Sequence, residues 1–499
     1  MLNWKRQTKN LLKKHLTVNS ITHEMLAELL GQIGVEETKA SIDNKLSRGS
    51  FSASFLMQCF AVINSSKTGK FDENHLYDYI LRTLEPTEAY QYGLFQPNSV
   101  KKRFKNIKSD TSYLKIEQDE QFCSTFPRKC ISLFSGAGGF DIGIEEAGFK
   151  TVVCVEIDAD CRETLNHNRP KWKLFDDNQG RIAGDIRSIS PKDILKLASL
   201  SKGETGLVIG GAPCQPFSNI GKKQGVKDEK NGDLFLEFVK IVKGVSPQSF
   251  IFENVAGITQ AKHKHVIQYM KEQFAGLGYG ISCSVLNAAD YGVAQTRKRF
   301  FLIGIKGVEN PAFPLPTHCI SLSGWEKFAG KLDFKPDFIP KQWLTIADRF
   351  SLLNDDISSR PDYAVMNISQ KVLDRMKYIG PGENFKVLPM DMRPNCWKNG
   401  KHQGQDTFGR LKINHPSVTL RTAAYNPSKG RYIHPTEDRG LNTIEMATIQ
   451  GFPSDWSFRC KGRKQITLVS AGRQIGNAVP PPLAKSLGEA IKRQLKERN

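Results

Sequence analysis

Residues 129–156 read KCISLFSGAGGFDIGIEEAGFKTVVCVE, and the order of textures in them decides the fold. CISLF is an apolar, strand-like run. SGAGG (135–139) is a turn whose glycines let the backbone approach a ligand closely. GFDIGIEEAGF has apolar residues at helical spacing, and TVVCVE is a β-branched strand. The alternation continues downstream, with strands in GLVIGG (206–211) and SFIFENV (249–255) and helices in DLFLEFVKIVKGV (233–245) and HVIQYMKEQFAGLG (265–278). Strict alternation predicts an α/β, doubly wound, Rossmann-like fold, a parallel sheet with helices on both faces. Ligands of such sheets bind outside the carboxyl ends of the strands.

Working outward, residues 1–65 read as a helical domain. The helix, connector, helix order around GQIGVEE resembles the Cro-like helix-turn-helix, with Ser41, Asn44, Lys45 and Arg48 on the candidate recognition helix. A plain helical cap is the alternative. Residues 66–128 form a linker whose KKRFKNIK (101–108) either tracks phosphates or is simply solvated. The catalytic α/β part spans 129–312. From 313 to 405 the alternation stops in a proline-rich, loop-rich domain, and 406–499 returns to ordered patterns ending in a helix.

The chain has 499 residues and a net charge of +20, which points toward a polyanion such as nucleic acid. Its ten cysteines are scattered, without CxxC pairs or zinc spacing, so neither a disulfide framework nor a structural metal is expected. No apolar run approaches the ~18 residues of a membrane span, and the basic N-terminus lacks the apolar stretch of a secretory signal.

Five short motifs carry chemistry. In FSGAGG, Phe134, Gly136 and Gly138 lie at the first strand-to-helix turn, while Glu156 ends the second strand where an acid suits a ribose diol. Asp185, in GDI, suits an adenine amino group. Together they indicate an adenosine-containing cofactor. In GGAPCQPFSNIGKKQG (210–225), Cys214 sits in a Pro-Cys turn past a buried strand, either as a nucleophile or as a structural thiol. Glu253 of FENV ends the next strand, where it can act as a general acid or merely cap a helix. Arg297 and Arg299 of QTRKRFFLIG alternate, so both are expected on one side of a strand. Gly476-Asn477, before VPPPLA, reads as a tight turn with an amide facing a ligand.

The order FSGAGG, PCQ, ENV, QTRKR, GNAVPP over residues 129–499 resembles the cytosine-5 DNA methyltransferase family. GRLKINHPSVTLRT (409–422) resembles that family's motif after its target-recognition domain, which places that domain at 313–405. The resemblance implies S-adenosyl-L-methionine as cofactor, contacted by Phe134, Gly136, Gly138, Glu156, Asp185 and Asn477, with no metal. It implies Cys214 as nucleophile, Glu253 as the acid at cytosine N3, Arg299 near O2 with Arg297 supporting it, and Gln215, Phe217, Ser218 and Asn254 at the substrate. Lys222, Lys223 and Lys227 would contact phosphates while the base is flipped out. Double-stranded DNA is the implied partner, in a bacterial, nucleoid-associated cytoplasmic setting. A cognate restriction endonuclease, and operator DNA at residues 1–65, are further expected partners. The tRNA-methylating branch generally lacks so long a variable segment. An inactive regulator does not fit intact PCQ and ENV motifs, and a cysteine hydrolase would need a histidine partnered to Cys214.

Overall fold

A computed structural model of the chain describes residues 12–13, 16–17, 21–31, 35–48, 55, 58–59 and 62–63, then 126–175, 182–212, 234–260, 264–353, 356–398 and 406–497. The chain forms two compact units, Met1–Ile107 and Lys108–Asn499. In the first, helices α1 (His23–Gly31) and α2 (Lys39–Arg48) close over a core that includes Leu12, Leu26, Leu30, Ile42, Leu46 and Phe55. Ile42 and Leu46, four apart, face inward as their spacing requires. Of the four candidate recognition residues, two are engaged internally. Ser41 donates to Glu37 Oε2 at 2.6 Å, and the Lys45 ammonium pairs with Glu37 and lies over the Phe55 ring. Asn44 and Arg48 are exposed.

The second unit is built on one seven-stranded sheet in the order β3-β2-β1-β4-β5-β7-β6. The strands are β1 (Lys129–Leu133), β2 (Lys150–Val155), β3 (Lys173–Leu174), β4 (Leu207–Gly210), β5 (Ser249–Val255), β6 (Tyr279–Asn287) and β7 (Lys298–Lys306). β1 to β5 pair in parallel, as the alternation predicts. β7 does not, because it runs antiparallel to both β5 and β6. The connection from β6 to β7 is too short for a crossover helix, so the chain can only fold back. This reversal delivers the start of β7 to the rim where the parallel strands deliver their ends.

Both faces of the sheet are covered, so successive strand residues enter different cores. Val208, Phe250 and Phe252 pack with α5 (Pro191–Ala198), α6 (Leu234–Val245) and α7 (Lys264–Ala275). Leu207, Ile209 and Ile251 pack with α3 (Gly139–Glu146) and the C-terminal helix, Pro481–Glu497. The two helices approach so closely that a Cβ on Gly143 would stand 2.2 Å from the Pro481 carbonyl oxygen and 2.6 Å from Ala484 Cβ. Gly143→Val is therefore expected to destabilise the protein by about 3 kcal/mol. Thermal unfolding of the variant checks this, and an unchanged Tm would refute the contact.

Helix α4 (Ala159–Asn168) follows β2. The segment expected to be loop-rich holds a two-stranded parallel pair, β8 (His318–Cys319) with β9 (Lys341–Gln342), and short helices α8 (Leu322–Ala329), α9 (Ile346–Phe350), α10 (Gln370–Met376) and α11 (Asn395–Lys398). Its small core of Met376, Ile379, Phe385, Leu388 and Trp397 is completed by Phe408 and Ile433, beyond residue 405. The chain then forms α12 (Thr443–Gln450), α13 (Leu468–Asn477) and α14 (Pro481–Glu497). Among the described residues no helix is long and apolar enough to cross a membrane, and no cluster of His, Cys, Asp and Glu is arranged to hold a metal ion.

Candidate active site

Glu253 lies near the end of β5 and is 8% exposed. Its Oε1 is 3.0 Å from Nε of Arg299. The reversed β7 makes this pair, because Arg299 stands opposite Val255 and so one diagonal step from Glu253 on the same face. Burial raises the Glu253 pKa, while the Arg299 and Arg297 guanidinium groups oppose the rise. Gly211 adjoins the carboxyl group closely, and a Cβ there would lie 2.8 Å from Glu253 Oε2.

Asn254 faces away from this carboxyl. It is 2% exposed, its amide donates to the Ala212 carbonyl at 3.2 Å, and its Oδ1 accepts the Val255 N–H at 2.8 Å. Ala212, two residues before Cys214, is thereby tied to the end of β5. Cys214, Gln215, Phe217, Ser218, Lys222, Lys223 and Lys227 lie outside the described residues.

Arg297 precedes β7 and does not share the setting of Arg299. It is fully buried, and its Nη1 and Nη2 donate to the carbonyls of Leu420 at 2.9 Å and Gly476 at 2.7 Å. Both guanidinium groups act on Glu253, Arg299 from the rim and Arg297 from inside, just before the strand.

Phe134, Gly136, Glu156 and Asp185 come together at the ends of β1 and β2. Phe134 takes φ 55° and Gly136 φ 54°, left-handed conformations that reverse the chain immediately after β1. Glu156 accepts the Gly136 N–H on Oε2 and the Asp158 N–H on Oε1, both at 2.7 Å. Burial raises its pKa, and these backbone donors pull it back. Each oxygen retains a lone pair for a hydroxyl. A Cβ on Gly136 would meet nothing within 4 Å, so space stands open at the turn. Gly184 packs so tightly on Glu156 that a Cβ would lie 1.9 Å from its carbonyl oxygen, which brings Asp185 alongside. Asp185 Oδ1 accepts from the Arg187 N–H and Nε, each at 3.1 Å. Gly138 is hemmed in by Leu165, Trp456 and Trp172, a packing position. Asn477 is exposed and is the last residue of α13, rather than part of an isolated turn. An acidic acceptor pair and open space at the turn fit an adenosine-containing group.

Two neighbours were not singled out from the sequence. Ile157, beside Glu156, is 49% exposed, an apolar surface next to a diol acceptor. Its signal was an isoleucine just past a strand end. Asp141, in the first turn of α3, is fully buried beneath the glycine turn. Its Oδ1 lies 3.8 Å from Cys154 Sγ, and Ser132 hydrogen-bonds to it, but Oδ2 has no partner among the described residues. Burial pushes its pKa up to about 7, against the pull of Ser132 and a backbone N–H. The native state therefore holds a proton that the unfolded chain releases above the usual carboxylate range. The stabilising effect is complete below that range and is lost as pH rises through about 7. Asp141→Asn, which keeps the shape without the ionisation, is expected to gain on the wild type as pH rises, by about 4 kcal/mol at most. Chemical denaturation at pH 5 and pH 8.5 measures this, and parallel curves for both proteins would sink it.

Residues 128–493 match the model of the C-5 cytosine-specific DNA methylases, and residues 4–68 match a domain of unknown function, DUF6471. The chain is 31% identical over 366 residues to the type II methyltransferase M1.HphI of Haemophilus parahaemolyticus, covering 72% of this chain and 86% of that protein. It is 33% identical over 376 residues to M.NgoPII of Neisseria gonorrhoeae, covering 74% and 96%. A prophage-encoded DNA modification methyltransferase from E. coli superposes with a TM-score of 0.52 at 24% identity over 74% of this chain and 99% of that one, a likeness of fold. On these matches the chain belongs to the C-5 cytosine-specific DNA methylases, enzymes that move the methyl group of S-adenosylmethionine to C5 of cytosine in DNA.

Proposed function

We propose that the chain methylates cytosine within one short sequence of double-stranded DNA, with Cys214 adding covalently to C6 of a flipped-out base. The observation that carries this reading is the Glu253–Arg299 pair at 3.0 Å, a buried carboxyl with raised pKa that lies against Gly211, three residues before Cys214.

Cytosine C5 is a poor nucleophile until a thiolate adds to C6. The new C–S bond sends an electron pair into the ring, and Glu253 delivers its proton to N3 as charge develops there. Arg299 keeps the Glu253 carboxyl in place and offers its remaining N–H groups to O2. S-adenosylmethionine supplies an electrophilic methyl group, which C5 takes up. A base then removes the C5 proton, the electron pair expels Cys214, and Glu253 regains its proton from N3. Glu156 would hold the ribose diol, Ile157 would offer an apolar surface to the adenine, Asp185 would accept from its amino group, and Asn477 would serve the amino-acid end. Phe134 and Gly136 shape the turn.

Unpairing and flipping the base costs a few kcal/mol, which Lys222, Lys223 and Lys227 help offset at the phosphates. Residues 313–405 read the flanking bases. The relatives' designation as type II methyltransferases favours a cognate restriction endonuclease with the same site, in a bacterial cytoplasm. Residues 1–65 contact operator DNA through the exposed Asn44 and Arg48. Footprints that survive deletion of residues 1–65 would refute this last role.

The test of the main reading is incubation with S-adenosylmethionine and mixed-sequence duplex, followed by bisulfite mapping. Modification confined to one short context supports it. Transfer to tRNA instead of DNA, or modification without sequence context, would overturn it.

A further inference from the structure

We propose that Gln295, Arg297 and Gln450 form a buried interlock that sets the position of Asn477 from the strand carrying Arg299, so that cofactor binding and base placement depend on each other through them. This rests on the reading of Asn477 as a cofactor contact.

The two carbonyls on either side of Asn477 are both held from the same place. Gly476 O accepts Arg297 Nη2 at 2.7 Å. Ala478 O accepts Gln450 Nε2 at 2.7 Å, and Gln450 Oε1 accepts Gln295 Nε2 at 2.6 Å. Asn477 is exposed, yet the backbone around it is pinned on both sides by residues that are at most 1% exposed. Gly476 is also pressed against the chain at Arg421–Thr422, where a Cβ would lie 2.6 Å from backbone atoms. The turn cannot shift without moving Gln295 or Arg297.

The same residues hold the chain at Leu420, beyond the 313–405 segment, and the entry to β7. Leu420 gives its carbonyl to Arg297 Nη1 at 2.9 Å and its N–H to Gln295 Oε1 at 2.9 Å. Arg297 N–H donates to Asn287 Oδ1 at 3.0 Å, which fixes the β7 entry against the end of β6. Two residues on, Arg299 meets Glu253. A fully buried guanidinium whose η nitrogens meet backbone carbonyls is costly as a packing device. What it provides is a planar fork able to bridge two segments that come from distant parts of the chain, which lysine, a point donor, does not reproduce.

Arg297→Lys keeps the charge but loses the fork, and Gln450→Met keeps volume while cutting the relay to Ala478. Binding of S-adenosylhomocysteine, measured by calorimetry without DNA, is expected to weaken about tenfold in the first and severalfold in the second. The KM for S-adenosylmethionine should rise in step. The change in S-adenosylhomocysteine affinity caused by a duplex carrying the mapped site should shrink in both. Arg299→Lys, by contrast, should lower turnover and leave S-adenosylhomocysteine binding as in the wild type. Wild-type affinity in both interlock variants, with Asn477→Ala weakened, overturns the interlock. Wild-type affinity in Asn477→Ala overturns instead the reading of Asn477. If Arg297→Lys does not fold, Gln450→Met decides alone, and unchanged affinity in it refutes the proposal.

Discussion

A duplex with 5-fluorocytosine at the target position is expected to become covalently joined to the protein in a complex that survives denaturing electrophoresis. Cys214→Ala is expected to form none of it and to lose methyl transfer by about a million-fold, the scale seen when a covalent nucleophile is removed. The trap follows from the electron count. After methyl transfer the enzyme is released only when a base removes the C5 proton and the freed electron pair expels the thiolate. Fluorine cannot leave as a cation, so the C–S bond at C6 persists. The assay separates a nucleophile from a cysteine that merely fills space: a structural thiol gives no adduct in the wild type either. It is also independent of affinity, since an enzyme that binds and does not attack leaves free DNA on the gel. The geometry bears on it through Asn254, whose amide ties Ala212 to the end of β5. Asn254→Ala should therefore slow trapping without abolishing it. A wild-type protein that methylates DNA yet never forms the adduct would remove Cys214 from the reaction.

The period of hydrophobic residues made the parallel half of the sheet legible, because a fully buried strand leaves an unbroken apolar run such as LVIG or FIF. β6 left no such mark. Tyr279, Cys283, Ser284 and Val285 lie toward an edge of the sheet, where several strand residues are only half-buried, and the sequence looks mixed. Without β6 the reversal of β7 could not be foreseen, and so neither could the burial of Arg297 just before β7 with Arg299 at the rim. Local spacing says that residues two apart share a side. It does not say that one ends at the rim and the other among the carbonyls of Leu420 and Gly476, 123 and 179 residues away. Glu253 and Glu156 were legible because a carboxylate at a strand end stands out against apolar neighbours. Asp141 was not, since an acid in the first turn of a helix ordinarily answers the helix dipole at the surface. Its burial arises only when Ser132 and Cys154 of neighbouring strands close over it. The contacts of α2 escaped the sequence for a similar reason: Glu37, outside the helix, takes both Ser41 and Lys45.

Glu253→Gln is expected to lower kcat by about 10² to 10⁴, the range for loss of a general acid, while the Kd for S-adenosylhomocysteine stays within about twofold of the wild type. The amide has the shape of the carboxylic acid, so the approach of Gly211, where a Cβ would come within 2.8 Å, survives the change. What is lost is the transferable proton of the acid and, in its ionised form, the charge that pairs with Arg299 at 3.0 Å. An amide N–H still reaches N3 as a hydrogen bond, which leaves the variant above background, and a 5-fluorocytosine duplex should still trap it, slowly. Cofactor binding is spared because Glu156 lies at the end of β2, three strand steps from β5 and so about 14 Å away. The pH profile gives a second reading of the same residue. Glu253 must be protonated to donate, and burial holds its pKa above the ordinary carboxylate range, so its contribution is present at low pH and fades as pH rises through that raised value. A thiol nucleophile gains reactivity as it ionises with rising pH, so a wild-type kcat that depends on both groups is expected to show two opposed limbs. In Glu253→Gln only the rising limb should remain. A variant with full turnover, or one that retains the falling limb, would show that the proton at N3 comes from elsewhere.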